Sequence, residues 1–307
     1  EHPERFVMAR ACLSAPCLHK SRTDTDGLQA IPPTAAPLPQ SLQEMKAYVP
    51  DRPNIQIWQW PNLLALDAAL IAVVWQIALA NALELPMSPA ACGVLGLSVW
   101  LTYTADRLID VARRPARQLL SARHSFAKRH TRTLWRAWAG VLVVDLTIAL
   151  LGLRTEQLQA GAWLLSVCLV YTALNQKLSR RFFPKEICVA LIFTGGVVVF
   201  DAAAIPMGFI IFFALLCMLN CLIIGAMEKA IDAEMRVHSI APVVAERWLG
   251  VSALSLHLLV TIVAPPCAIA LSIGFLALGI IHLLRRRIPV ETFRVLADLS
   301  LLVPATI

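Results

Sequence analysis

Residues 89–114 read PAACGVLGLSVWLTYTADRLIDVARR. The stretch opens as an apolar run long enough to cross a hydrocarbon core and closes in mixed charge. Asp106 and Asp110 stand four residues apart, so both project from one helix face where the span leaves the lipid. Carboxylates inside a membrane helix are expensive and mark function by default. The rest of the chain has to supply a bundle around this helix and a partner for its acids.

The composition supports such a bundle. Of 307 residues, 58% are apolar and 15% charged, with a mean hydropathy of +0.68. Soluble domains carry roughly 45–50% apolar and about 25% charged residues. A soluble enzyme, a disordered chain and a nucleic-acid-binding domain are excluded. Apolar runs predict spans near 62–83, 88–110, 134–153, 158–175, 186–204, 206–227, 247–264 and 266–284. A shorter apolar segment, 293–307, is a half-span, an interfacial helix or a ninth span. The expected fold is all-α, a polytopic transmembrane helix bundle of eight to nine spans over residues 56–307. Residues 1–55, polar and proline-containing, are expected to form a disordered cytoplasmic tail.

The basic residues fix the orientation. All but Arg154 fall in the tail or within 107–136, 177–185, 229–247 and 285–294. Eight spans place all of these segments on one face, which the positive-inside rule makes cytoplasmic, as in a bacterial-type inner membrane. The formal net charge of +7 therefore belongs to a membrane face and not to a nucleic-acid site. Trp58, Trp60, Trp135 and Trp248 fall at the same ends of spans, as interface anchors do.

A second acidic pair, Glu228 and Asp232 in GAMEKAIDAEMR, repeats the four-residue spacing at the end of the sixth span. Like charges so placed destabilise a helix by roughly 0.2–0.5 kcal/mol. Arg113, Arg114 and Arg236 suit Asp110 and Asp232 as local partners, the reading in which these are solvated helix ends. Asp106 and Glu228 have no such partner on the following turn. A divalent cation is the simplest compensation, since Mg²⁺ takes one or two carboxylates, keeps waters and accepts phosphate oxygens.

These segments resemble the UbiA superfamily of intramembrane prenyltransferases. The first family motif, N-D-x-x-D-x-x-x-D, is matched at Asp106 and Asp110, with Thr102-Tyr103 replacing Asn-Asp. The second, D-x-x-D-x-x-x-D, is matched by carboxylates at Glu228 and Asp232, with Gly225 in the first place. A third match is Tyr171 followed by Lys177 and Arg180, with Lys185-Glu186 beyond. The resemblance covers roughly residues 60–307. It implies nine helices around a cavity, with Mg²⁺ held by the acidic motifs and a prenyl diphosphate as substrate.

On that resemblance Asp106, Asp110, Glu228 and Asp232 are the metal ligands. Arg107, Lys177, Arg180 and Lys229 are the diphosphate cations, and Tyr171 belongs to the same group. Tyr103 shares the face of Asp106 and Asp110, where it serves diphosphate, an allyl cation or simple packing. Asn62 sits near the cytoplasmic mouth of the first span, and Asp67, about a turn deeper, is a candidate base for an acceptor. The implied reaction is Mg²⁺-dependent transfer of an isoprenyl group from its diphosphate to an aromatic or lipid acceptor. A terpene cyclase on the same scaffold and a non-catalytic lipid-binding or transport protein are the alternatives. Asp145, Asp201, His257, His282 and Asn220 read as structural groups, and Cys217 and Cys221 as small residues for close helix contact.

Overall fold

The computed structural model describes residues 56–112, 121–178, 184–229, 246–302 and 305, the side chains of 176–178 and 246–247 excepted. The tail through residue 55 lies outside the described residues. After a 3-10 turn at Ile57–Gln59 come α1 (Trp60–Leu63), α2 (Leu66–Ala82), α3 (Pro89–Ala112) and α4 (Ala122–Arg129). They are followed by α5 (Thr131–Gly152), α6 (Thr155–Leu178), α7 (Lys185–Val198) and α8 (Met207–Met227). The last three are α9 (Glu246–Val263), α10 (Ala268–Leu284) and α11 (Val290–Leu302). The architecture is all-helical.

Four of the described helices, or five counting one bent pair, are long and apolar enough to cross a membrane. Only 6% of the apolar window of α5 and 11% of that of α6 is buried, so their apolar faces are free for lipid. Val143, Leu150, Leu151, Trp163 and Leu169 stand on those exposed faces. The fifth predicted span is shorter than its apolar run: α7 ends at Val198 and a separate 3-10 turn covers Ala202–Ala204. At 13 residues α11 rises only about 20 Å, too little to cross the core alone.

The first predicted span is not continuous. The segment Ile57–Leu63 and α2 are bent by 80°. The bend turns on Ala65, whose φ of 57° is left-handed and costs a residue with a Cβ about 1–2 kcal/mol. Helix α3 supplies the hydrogen bonds that the break forfeits. The Arg107 guanidinium donates to the carbonyls of Asn62 and Leu63 at 3.0 and 2.7 Å, and the Trp100 indole to that of Leu64 at 2.8 Å. These contacts come from residues 36 to 45 positions further along the chain, so hydropathy read along one segment does not register them.

The core joins α2, α8 and α11. The fully buried Trp75 donates to the Leu301 carbonyl at 2.8 Å and lies 4.8 Å from the Phe213 ring. Phe213 in turn stacks on Phe209 at 5.4 Å. Helices α3 and α5 touch closely at Gly152, where an added Cβ would meet the Ala90 Cβ at 2.6 Å. The structural polar residues behave as their positions predict. Ser98 donates to Asp145 at 2.8 Å between α3 and α5, Arg154 pairs with Asp201 at 3.9 Å, and Ser272 bonds His257 at 2.7 Å.

Candidate functional site

Helices α2, α3, α7, α8 and α11 enclose a cavity of about 270 Å³, with Asn62 of α1 and Arg123 of α4 at its wall. Its apolar part is formed by Ile71, Val189, Phe193, Ile224 and Leu301. Its charged part brings Arg107, Arg123, Lys185 and Arg294 against Asp67, Glu186, Glu228 and Asp298. Helix α3, which carries the first acidic motif, and helix α8, whose C-terminal cap is Glu228, both line this space.

Of the residues read from sequence, Asn62, Asp67, Tyr103, Arg107 and Glu228 line the cavity. So does Gly225, where the second motif lacks its first carboxylate. Tyr103 is within electrostatic reach of Cys217 and Cys221 from α8 and of Asp67 and Asp298. Cys217 and Cys221 are wall residues of the cavity, not merely spacers for helix contact. Asp106 is half-buried beside the lining, within reach of Asp110, Arg123 and Lys185. Tyr171 approaches Asp106 and Glu186 from α6 without lining the cavity. Lys229 is exposed and does not line it. The backbone of Lys177 closes α6 with its side chain undescribed, and Arg180 and Asp232 lie outside the described residues.

Two of these residues have partners that the sequence did not predict. Arg107, expected as a diphosphate cation, lines the cavity and gives its Nη1 to two carbonyls of the broken first span. Glu228, expected to need a metal, is already neutralised by arginines from elsewhere in the chain. Arg123 Nη2 is 3.3 Å from Oε2, and the Arg294 guanidinium pairs with Oε1. Arg294 also donates to Glu291 at 2.9 Å, while Glu291 accepts the backbone N–H of Ala122 at 3.3 Å. Arg123 stands within reach of Asp106 as well, so one arginine serves both acidic segments.

The sequence reading did not single out Arg123, Arg294 or Asp298. Arg294 and Asp298 are four residues apart in the mostly apolar stretch 293–302 of α11, a pattern that itself marks a buried polar face. Asp298 completes a network with the first span. The Asn62 amide donates to Asp67 at 2.6 Å and to Asp298 at 3.3 Å, and Asn220 reaches Asp298 at 3.3 Å. This polar group borders a second cavity of about 390 Å³, between α1, α2 and α11, which Trp58, Leu70, Val295 and Leu299 also line.

The donor set tests the metal expectation. Among the described residues no three His, Cys, Asp or Glu side chains gather as a metal cluster. Asp106 and Asp110, one turn apart, still match the one or two carboxylates that Mg²⁺ takes alongside waters and phosphate. Glu228 does not fit as it stands, because both of its oxygens already face arginines.

No family model matches the sequence, and no curated protein matches it. A solved structure does: the apo form of a UbiA homolog from Aeropyrum pernix K1. It aligns with a TM-score of 0.55 at 14% identity, over 78% of this chain and 97% of that one. The likeness establishes a UbiA-like helical fold, the arrangement that the motif resemblance implied.

Proposed function

We propose that this chain is an integral-membrane prenyltransferase that moves an isoprenyl group from a prenyl diphosphate to an aromatic or lipid acceptor. The observation that carries the reading is a cavity with a charged part that includes Arg123, Lys185 and Arg294 and an apolar part, on a UbiA-like scaffold. Arg123, Lys185 and Arg294 gather positive charge where the diphosphate of an isoprenoid would rest. Ile71, Val189, Phe193 and Leu301 cover the hydrocarbon and keep water from an allyl cation.

Asp106 and Asp110 would hold Mg²⁺, which supplies positive charge to the departing diphosphate. Arg123, within reach of Asp106, adds charge from the protein itself. Tyr103 presents its ring or hydroxyl to the reacting carbon from the cavity wall. The second cavity favours transfer over cyclisation. Two compartments meeting at Asn62, Asp67 and Asp298 suit two substrates, with Asp67 placed to take a proton from the acceptor.

The test is pyrophosphate release from a panel of prenyl diphosphates by the full chain in proteoliposomes. Release should disappear with EDTA and in Asp106→Asn, and the product should carry the acceptor's mass. A product of the isoprenoid's mass alone would convert the assignment to a cyclase. No release with any acceptor extract would leave a lipid-binding protein.

A further inference from the structure

Glu228 is a single carboxylate held between two arginines, and it holds them in the wall of the cavity. Its side chain is 8% exposed. Arg294, 2% exposed, reaches one oxygen from α11, and Arg123, 26% exposed, reaches the other from α4. The Arg294 Nε is buried without a hydrogen-bond partner. Each guanidinium carries five N–H donors in a planar fork suited to carboxylate or phosphate. Glu228, together with Glu291 on Arg294 Nη1, leaves part of this donor set unused, the Arg294 Nε included, whereas a phosphate group offers more oxygens and more charge.

We propose that Arg123 and Arg294 form a direct binding site for a phosphate group of the diphosphate, and that Glu228 is an internal anion occupying this site until substrate displaces it. The identity of the diphosphate as a prenyl ester rests on the function proposed above; the anion site itself does not. The role assigned to Glu228 is the reverse of that of a metal ligand. A ligand assists substrate binding, whereas an occupant competes with it. If Glu228 fills the site nine-tenths of the time or more, its removal raises apparent affinity about tenfold or more.

The experiment is calorimetric titration of the full chain in nanodiscs with inorganic pyrophosphate, in EDTA and in Mg²⁺. Glu228→Gln should bind pyrophosphate in EDTA at least about tenfold more tightly than the parent, and adding Arg123→Gln should cancel the gain. No gain in EDTA, or weaker binding in Mg²⁺ with no gain in EDTA, overturns the proposal. Should Glu228→Gln fail to fold, Arg123→Gln and Arg123→Lys in the parent decide. The first should lower pyrophosphate affinity in EDTA and the second restore part of it; equal affinity in all three, or no binding by any, overturns it. Farnesyl diphosphate is titrated in parallel. A pyrophosphate gain without added affinity from the farnesyl chain supports the arginine site and removes the prenyl reading.

Discussion

Replacing Arg294 by methionine removes the most deeply buried cation of the site and keeps an apolar stem of similar length. Glu228 would then depend on Arg123 alone, at 3.3 Å and 26% exposed. Breaking a buried ion pair from one side costs about 3–5 kcal/mol, because the other charge stays desolvated. Arg123→Gln should cost far less, about 1 kcal/mol, since water reaches that side of the carboxylate. The double variant Arg294→Met with Glu228→Gln removes the stranded charge and should recover about 2–3 kcal/mol of the single-variant loss. The assay is unfolding in mixed micelles with increasing denaturing detergent, followed by fluorescence of the eight tryptophans. The reasoning fails if Arg294→Met costs no more than Arg123→Gln, or if Glu228→Gln adds to the loss instead of relieving it.

Three further outcomes follow from other parts of the molecule. Gly152→Ala places a Cβ 2.6 Å from that of Ala90 and should destabilise the α3–α5 contact by about 1–3 kcal/mol in the same unfolding assay; an unchanged midpoint would refute that close approach. Arg107→Met removes the guanidinium from the Leu63 carbonyl and leaves that of Asn62 only the Ala65 N–H, and should cost about 1–3 kcal/mol. A stability loss places Arg107 as the brace of the broken span, whereas lost substrate binding at unchanged stability would restore it as a diphosphate cation. Asp106→Asn and Asp110→Asn should each raise the Mg²⁺ concentration needed for half-maximal pyrophosphate release by about tenfold or more; an unchanged Mg²⁺ dependence would count against these ligands.

Much of the bundle is legible along the sequence because a span is a local property. Apolar length sets α5, α6, α8 and α10 with ends close to those of the predicted runs. The break at Leu64–Ala65 is not legible in that way. Neither residue is a helix breaker, and the bonds that hold the bend come from Trp100 and Arg107. The site divides along the same line. Asp106, Asp110 and Glu228 declare themselves as carboxylates in apolar helices, a pattern that needs no structure. Their partners do not. Arg123 and Arg294 fall among basic residues that set the orientation of the chain, and only the packing of α4 and α11 turns these two inward. A search for partners one turn along each helix therefore leaves Glu228 in need of a metal, when its compensation comes from 105 residues upstream in Arg123.

On the proposed function, the charges around the cavity bear on how much of the compensation a metal would have to supply. Arg107, Arg123, Lys185 and Arg294 balance Asp67, Glu186, Glu228 and Asp298 in the wall, so the lining is formally neutral before any ligand enters. A diphosphate brings several negative charges into this space and cannot remain there uncompensated. Releasing Arg123 and Arg294 from Glu228 provides part of the compensation without any ion from solution. On the proposed function, Mg²⁺ on Asp106 and Asp110 would provide the remainder, beside the same Arg123. Gly225, at the place of the first carboxylate of the second motif, lies in the wall of this arginine-neutralised side. On this reading the side of the cavity without the motif's first carboxylate is the side where the fold itself supplies the cations, Arg123 and Arg294.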